Sequence, residues 1–422
     1  MNTTGPDQKL TPRTGPRWLR RPGPAISGIL ALVYVGPPAL YAATTSRIRF
    51  GDFYSDAASA YGAITAGLLA VTAAGMALYN GQQQLKQADK QLTATLTAAD
   101  REHDATIVRD LRARFTTATE QLAHTTHTIQ QAGAYSLASL ADDWLTRNTQ
   151  QEAQVCIDVL CTYLRTHHLT GLDDPDTYNY TQTPPDQTVR DTIIRIIANH
   201  TRGPRDDTYN TTPGPWSNLS FDLTGAHLHD PDLSNAHLNA AKFTNVRFSG
   251  DEVSFTGAEF SGGEVSFTEA EFSGGQVSFG GARFSGGEVS FGGARFSGGR
   301  VYFTEARFSG GRVQFTEARF SGGRVQFTEA RFSGGRVSFA GARFSGGRVS
   351  FSRARFSGGE VSFTEAEFSG GEVSFARPLE WRNITFDWDN DLSQKPANVL
   401  PKDWPPQLYS QNSIARSGAT TQ

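Results

Sequence analysis

From Val253 to Phe375 one twelve-residue phrase recurs ten times, in forms such as Arg324-Val-Gln-Phe-Thr-Glu-Ala-Arg-Phe-Ser-Gly-Gly335. A short fixed period of this kind means that each unit stacks on the one before it. Apolar residues fall in two i, i+2 pairs per unit, Val325 with Phe327 and Ala330 with Phe332. That spacing puts both members of a pair on one side of a short strand. The Ser-Gly-Gly between pairs tolerates positive φ, so the chain is expected to turn there. Strand and turn alternate with no helix-length apolar stripe, which predicts a β-solenoid. On this reading Phe267, Phe279, Phe291, Phe303, Phe315, Phe327, Phe339, Phe351 and Phe363 form the core ladder.

The register upstream says which solenoid. Leu223, Leu228, Leu233, Leu238, Phe243 and Phe248 stand five residues apart, and Ala226, Pro231, Ala236, Ala241 and Val246 stand two before the last five of them. This pattern resembles the pentapeptide-repeat proteins, closely over residues 221–250. The resemblance implies a right-handed, four-sided parallel β-helix of about four pentapeptides per coil, with both positions pointing inward. From 251 onward the central residues step by seven and five alternately, as in Phe255, Phe260, Phe267 and Phe272. Two pentapeptides plus a Gly-Gly insertion account for the step. Four sides then take twenty-four residues per coil, although twelve in a flattened, two-sided helix satisfies the same spacing. Continuity with the stack begun at 221 favours twenty-four.

The N-terminal part has a different character. Residues 57–79 are uncharged for 23 positions, enough at about 1.5 Å per residue to cross a hydrocarbon core of about 30 Å. Residues 24–43 form a second uncharged stretch, interrupted by Gly36-Pro37-Pro38. Such breaks are tolerated in membrane helices where neighbours satisfy the freed carbonyls. Small residues at Gly62, Ala66, Ala70 and Ala74 suit close helix packing. Lys9, Arg13, Arg17, Arg20 and Arg21 precede the first stretch, and only Arg47 and Arg49 lie in the 44–56 connection. Positive-inside counting therefore predicts a multi-pass cell-membrane protein: a basic disordered segment (1–23), a transmembrane helical hairpin (24–79), and the bulk of the chain in the cytoplasm. A signal peptide is the rival for 24–43; the absence of a convincing cleavage site and the second stretch argue against it.

Residues 80–202 read as an α-helical stalk. Its apolar stripes run through Leu85, Leu92 and Leu96; Leu111, Phe115, Ala118 and Leu122; Leu137, Leu140 and Trp144; Ile157, Leu160 and Leu164; and Val189, Ile193, Ile196 and Ile197. Pro184-Pro185-Asp186 is expected to open the last helix. The segments Arg114-Phe-Thr-Thr-Ala-Thr-Glu-Gln-Leu122 and Ala132-Gly-Ala-Tyr-Ser-Leu-Ala-Ser-Leu140 are similar to the helical linker of actinobacterial membrane pentapeptide-repeat proteins. That similarity implies no catalytic residues. A turn-rich linker (203–220) leads into the solenoid (221–375). Residues 376–422, with Trp381, Ile384, Phe386 and Trp388, read as a cap and a disordered tail.

Chemistry is thin. Cys156 and Cys161 fit neither a zinc knuckle nor a redox pair and read as buried thiols. His124 and His127 have metal-pair spacing but no third ligand at a compelling distance in sequence. His167-His168 suit a helix end. The glycine motifs lack the lysine of a phosphate loop and the aspartates of a calcium roll. No nucleophile–base pair is visible, so neither an enzyme nor a cofactor is expected. The outward positions hold the one suggestive pattern. Residues 276–355 carry thirteen arginines, no lysine and the four glutamates Glu288, Glu305, Glu317 and Glu329, a net of +9 between acidic ends. The plain reading is solubility and protection of strand edges. The functional reading is a docking face for an anionic or protein partner, with Arg300, Arg312, Arg324, Arg336 and Arg348 as its residues. The resulting expectation is a membrane-tethered, non-catalytic scaffold. The alternative is a nucleic-acid-related role. Family resemblance brings one form of it, a duplex mimic that shields a topoisomerase, but such mimics are acidic and the basic band opposes this. Direct binding of an anionic polymer suits the band better, yet the aromatic platforms of single-strand binders are missing, so nucleic acid is not the expected partner. An ice-binding surface would need a flat Thr ladder, and Tyr302, Gln314, Gln326 and Ser338 stand in that strand position instead.

Overall fold

The computed structural model describes residues 50–166, 185–205 and 211–409, together with Val35, Gly36 and Ala39. Apart from those three residues, the first predicted crossing (24–43) lies outside the described residues, as do the basic 1–23 segment, His167-His168 and the end of the tail. The chain divides into two units, 1–105 and 106–422.

In the first unit residues 50–105 belong to one helix. This helix, α1 (Phe50–Leu122), continues without a break through residue 80 into the second unit. Among the described residues it is the one helix long and apolar enough to cross a membrane, with a mean hydropathy of 1.6 over its most apolar window. Its large apolar side chains there are uncovered: Ile64, Leu69, Val71 and Leu78 are all more than half exposed. Thr72 turns its hydroxyl back onto the carbonyls of Leu68 and Leu69 at 3.0 and 2.9 Å, so no polar group of that side chain is left over. The predicted stripe at Leu85, Leu92 and Leu96 is also exposed.

The second unit begins with a small helical bundle. The end of α1 packs with α2 (His127–Thr146), α3 (Gln150–Arg165) and α4 (Gln187–Thr201). Each helix buries the stripe its sequence marks: Leu111, Ala118 and Leu122; Leu137, Leu140 and Trp144; Ile157, Leu160 and Leu164; Val189, Ile193 and Ile197. The buried Arg190 ties α4 to the end of α3: its Nε donates to Asp186 Oδ1 at 2.9 Å and one terminal nitrogen donates to the Leu164 carbonyl at 2.8 Å. Charge-assisted bonds of this kind satisfy carbonyls that a helix end leaves without partners.

The rest is a four-sided parallel β-solenoid. Its sheets hold six, seven, six and eight strands, each strand bonded to the one directly above and below. The register settles the coil size. Phe221 pairs with Ala241 and Leu228 with Phe248, twenty residues apart. Arg300 pairs with Arg324 and Arg324 with Arg348, twenty-four apart. Between these regimes Asp232 pairs with Ser254 and His237 with Glu259, twenty-two apart. The intermediate coil follows because the two-residue insertions enter one corner at a time, first at Gly250-Asp251 and then at Gly262-Gly263.

Phenylalanine stacking explains why the coils superpose. All nine core phenylalanines named above are 0% exposed. They alternate between two stacks, one through Phe267, Phe291, Phe315, Phe339 and Phe363 and one through Phe279, Phe303, Phe327 and Phe351, with rings 4.7–4.9 Å apart and within 4° of parallel. The second phenylalanine of each phrase builds two more stacks, for example Phe272 on Phe296 and Phe308 on Phe332. Rings of the two central stacks meet edge to face, as Phe327 does Phe339 at 5.7 Å, a favoured aromatic geometry.

Two kinds of corner alternate. One is the expected Ser-Gly-Gly. The other is a β-turn such as Phe303-Thr-Glu-Ala306, closed by the Ala306 N–H on the Phe303 carbonyl at 3.1 Å. Its third residue takes positive φ, and at Glu269, Glu305, Glu317, Glu329 and Glu365 that residue is a glutamate.

Both ends of the stack are covered. At the start, Gln154 of α3 acts as a surrogate strand: its Oε1 accepts from the Ser220 N–H at 2.9 Å and its Nε2 donates to the Ser220 carbonyl at 2.7 Å. At the far end Trp404 lies edge-on to Phe375 and Phe386, at 5.8 and 5.1 Å. Unpaired strand edges invite further pairing.

Candidate binding site: the arginine columns

Stacking in register turns a linear charge pattern into columns. Four faces can be named from one coil: the first at Arg300–Tyr302, the second at Arg307–Phe308, the third at Arg312–Gln314 and the fourth at Arg319–Phe320. Each face carries arginines one above another. They are Arg300, Arg324 and Arg348 on the first; Arg283, Arg307, Arg331 and Arg355 on the second; Arg312 and Arg336 on the third; Arg295, Arg319 and Arg343 on the fourth.

The five arginines singled out in the sequence therefore fall on two faces. Arg300, Arg324 and Arg348 form one column, while Arg312 and Arg336 belong to the third face. The cause is arithmetic: the phrase repeats every twelve residues but the coil every twenty-four, so successive phrases fall on different faces. The seven arginines of the Ala-Arg-Phe position, such as Arg319, were counted in the net charge but not singled out. They sit five residues before the next phrase's arginine, across a Ser-Gly-Gly corner. That spacing is the signal that would have found them.

Acids close most column ends. Arg295 pairs with Glu271 at 2.9 Å, Arg343 with Glu367 at 3.3 Å, Arg348 with Glu372 at 3.9 Å, and Arg336 with Glu360 at 2.9 Å. These are exposed pairs, each contributing about 0–1 kcal/mol. Arg300, Arg307, Arg312, Arg319, Arg324, Arg331 and Arg355 have no ion-pair partner among the described residues. Adjacent guanidinium groups one strand spacing apart, about 4.8 Å, repel one another.

The Ser-Gly-Gly corners leave only one small side chain, the serine, between neighbouring columns, and the two glycines carry none. They cannot do otherwise, since a Cβ on Gly323 would lie 1.3 Å from the Gly299 carbonyl oxygen. The strand position read as outward is only partly so. Tyr302, Gln314, Gln326 and Ser338 are half-buried, and in the earlier coils Ser254, Ser266 and Ser278 are buried. There the serines bridge coils through threonine hydroxyls, Thr256 to Ser278 at 2.7 Å and Thr268 to Ser290 at 3.0 Å.

The other singled-out residues have structural places. Cys156 and Cys161 are free and buried, and burial, reinforced by Glu152 and Asp158 respectively, pushes both thiols up to about 12. The Nδ1 of His124 accepts the Thr126 N–H at 3.0 Å in the α1–α2 turn. No cluster of three metal-ligating side chains occurs among the described residues.

A parallel four-sided coil with inward phenylalanine and alanine defines a class of right-angled β-solenoids, and the comparison with known families assigns it. The model of pentapeptide repeats, in nine copies, matches residues 223–271 and 262–307. The chain is a pentapeptide-repeat protein. No curated protein matches it, and no solved structure does.

Proposed function

We propose that this protein is a membrane-tethered, non-catalytic scaffold whose solenoid offers a surface to a cytoplasmic partner. The observation that carries the reading is the set of exposed arginines, held in register at one strand spacing, of which seven have no ion-pair partner among the described residues. Such an array stores repulsion that an anionic partner relieves. Pentapeptide-repeat solenoids are in general not enzymes, which fits. Tethering is supported by the uncovered apolar run of α1 and by the arginine-rich start of the chain. The membrane-anchored actinobacterial type suggested by the 100–200 similarity belongs to the same proposal. A duplex-mimic role is disfavoured by the sign of the columns.

Reporter fusions in membranes test the tether. An enzyme active only in the cytoplasm should give signal when fused after Gln422 and none when inserted at Asp52. Signal from outside for the C-terminal fusion would remove the cytoplasmic scaffold reading.

A further inference from the structure

The fourth and first faces meet at a corner with a composition of its own. Three successive coils cross it with the same six residues, Arg295 to Arg300, Arg319 to Arg324 and Arg343 to Arg348, each reading Arg-Phe-Ser-Gly-Gly-Arg. The result is a furrow in which two rows of exposed arginines, three to a row, run on either side of a strip of serine and glycine. An open groove follows Gly299, Gly323 and Gly347 beside the first-face row, and ends at Glu372, which pairs with Arg348 at 3.9 Å. The diagonal corner, between the second and third faces, has two complete rungs, and Glu288 and Glu360 replace arginine on either side of them. The remaining two corners hold Glu305, Glu329 and Glu317 in their turns, with Arg353 in the same turn position and paired with Glu329 at 3.4 Å. Positive potential is thus gathered at the glycine corners, and most continuously at the fourth–first one.

The backbone adds to it. Gly299, Gly323 and Gly347 are exposed, and their N–H groups make no hydrogen bond among the described residues. Free N–H donors next to guanidinium groups are the components of an anion site.

We infer that this furrow binds a linear phosphate chain without bases, of the inorganic polyphosphate kind. The inference deepens the scaffold reading by naming a ligand for the arginine columns, and it does not depend on the tether. Rung spacing selects the ligand. Rungs recur every ~4.8 Å, with a cation on each side. An extended acidic peptide turns successive side chains to opposite sides, so its carboxylates face one way only every ~6.6 Å and reach one row at a time. A phosphate chain carries charge on every unit and presents oxygens to both rows at once. A nucleic acid strand has the phosphates, but beside the furrow its bases would find one half-buried aromatic, Tyr302, and no series of stacking platforms, because the repeat phenylalanines are inside the coil.

Full-length protein in micelles of uncharged detergent, titrated into fluorescently labelled polyphosphate, tests this. Binding should weaken steeply with salt, and Arg300→Gln/Arg319→Gln/Arg324→Gln should reduce affinity by about tenfold or more, as expected for three lost phosphate contacts. The equal-charge control Arg377→Gln/Arg382→Gln/Lys402→Gln, exposed and outside the columns, should change it by no more than about twofold. Far-UV circular dichroism checks that both triples keep the solenoid, and the single Arg324→Gln, expected to cost a few-fold, serves if a triple does not. Equal loss in the two triples would reduce the furrow to general charge and overturn the inference. So would tighter binding of a poly-glutamate peptide or of single-stranded RNA, or no binding at all. A failed topology test with intact furrow binding would reject the tether alone.

Discussion

At the residue scale, position within the phrase decides everything. Phe327 is fully buried between Phe303 and Phe351, with ring centroids 4.7 Å away on either side. Its neighbour Gln326 is half-buried on the outer surface of the same strand. Phe327→Ala is expected to destabilise by about 3–5 kcal/mol, because it leaves a cavity in a stack. Gln326→Ala should stay within about 0.5 kcal/mol. Urea unfolding of the two variants measures both, and equal effects would contradict the inward assignment. The inward residues were legible because burial enforces period two, and nothing but apolar groups fits the interior. The corner glutamates were not. Glutamate tolerates positive φ poorly, and a non-glycine residue there normally costs about 1–2 kcal/mol. A signal was nonetheless present: at Gly257, Gly281, Gly293 and Gly341 the equivalent position is glycine.

At the scale of elements, one junction between bundle and solenoid is held by a titratable pair. Asp142 of α2 accepts from Trp216 Nε1 at 2.8 Å and lies 3.2 Å from His200 Nε2 of α4, and the His200 ring stacks on Trp216 with centroids 4.1 Å apart. Burial works against the imidazolium, but the hydrogen bonds to Asp142 and the Ile196 carbonyl, with the Asp142 charge, raise His200 above its usual 6.5. Burial also works against the Asp142 carboxylate, but its bonds to His200 and Trp216 and the His200 charge hold it below 3.8. The histidine contribution is full below 6.5 and is lost as pH rises through the raised folded value. The aspartate contribution is full above 3.8 and is lost as pH falls through its lowered value. The clamp should therefore be strongest between about 4 and 6.5. The melting temperature should fall more from pH 6 to pH 9 in the unsubstituted protein than in His200→Gln; parallel profiles would assign the fall to other groups. Helix existence and facing were readable from the stripes at Ile157 and Ile193. The junction was not, because Asp142, His200 and Trp216 come from three segments with no common period.

For the whole molecule, coil size was the open question, and the paired registers answer it with twenty-four residues. Spacing alone could not exclude twelve, since both choices bury the same residues. The arginine surface was half legible for the same reason: its charge was visible, but its division into faces depends on coil size. Two phrases per coil also give the solenoid a parity. Residues 312–335 make up two phrases, so deleting them removes a whole turn and leaves every later side chain on its own face. Deleting 324–335 alone removes one phrase. The apolar interior would still close, since alternate phrases bury the same residue types, but everything downstream would rotate by half a turn. Arg348 would then leave the first-face row and join the third. Cysteines placed at positions 300 and 348 should crosslink through a short reagent in the twenty-four-residue deletion and not in the twelve-residue one. A gene built from such phrases could gain or lose them one at a time and still encode a closed solenoid, alternating with each step between two arrangements of its charges.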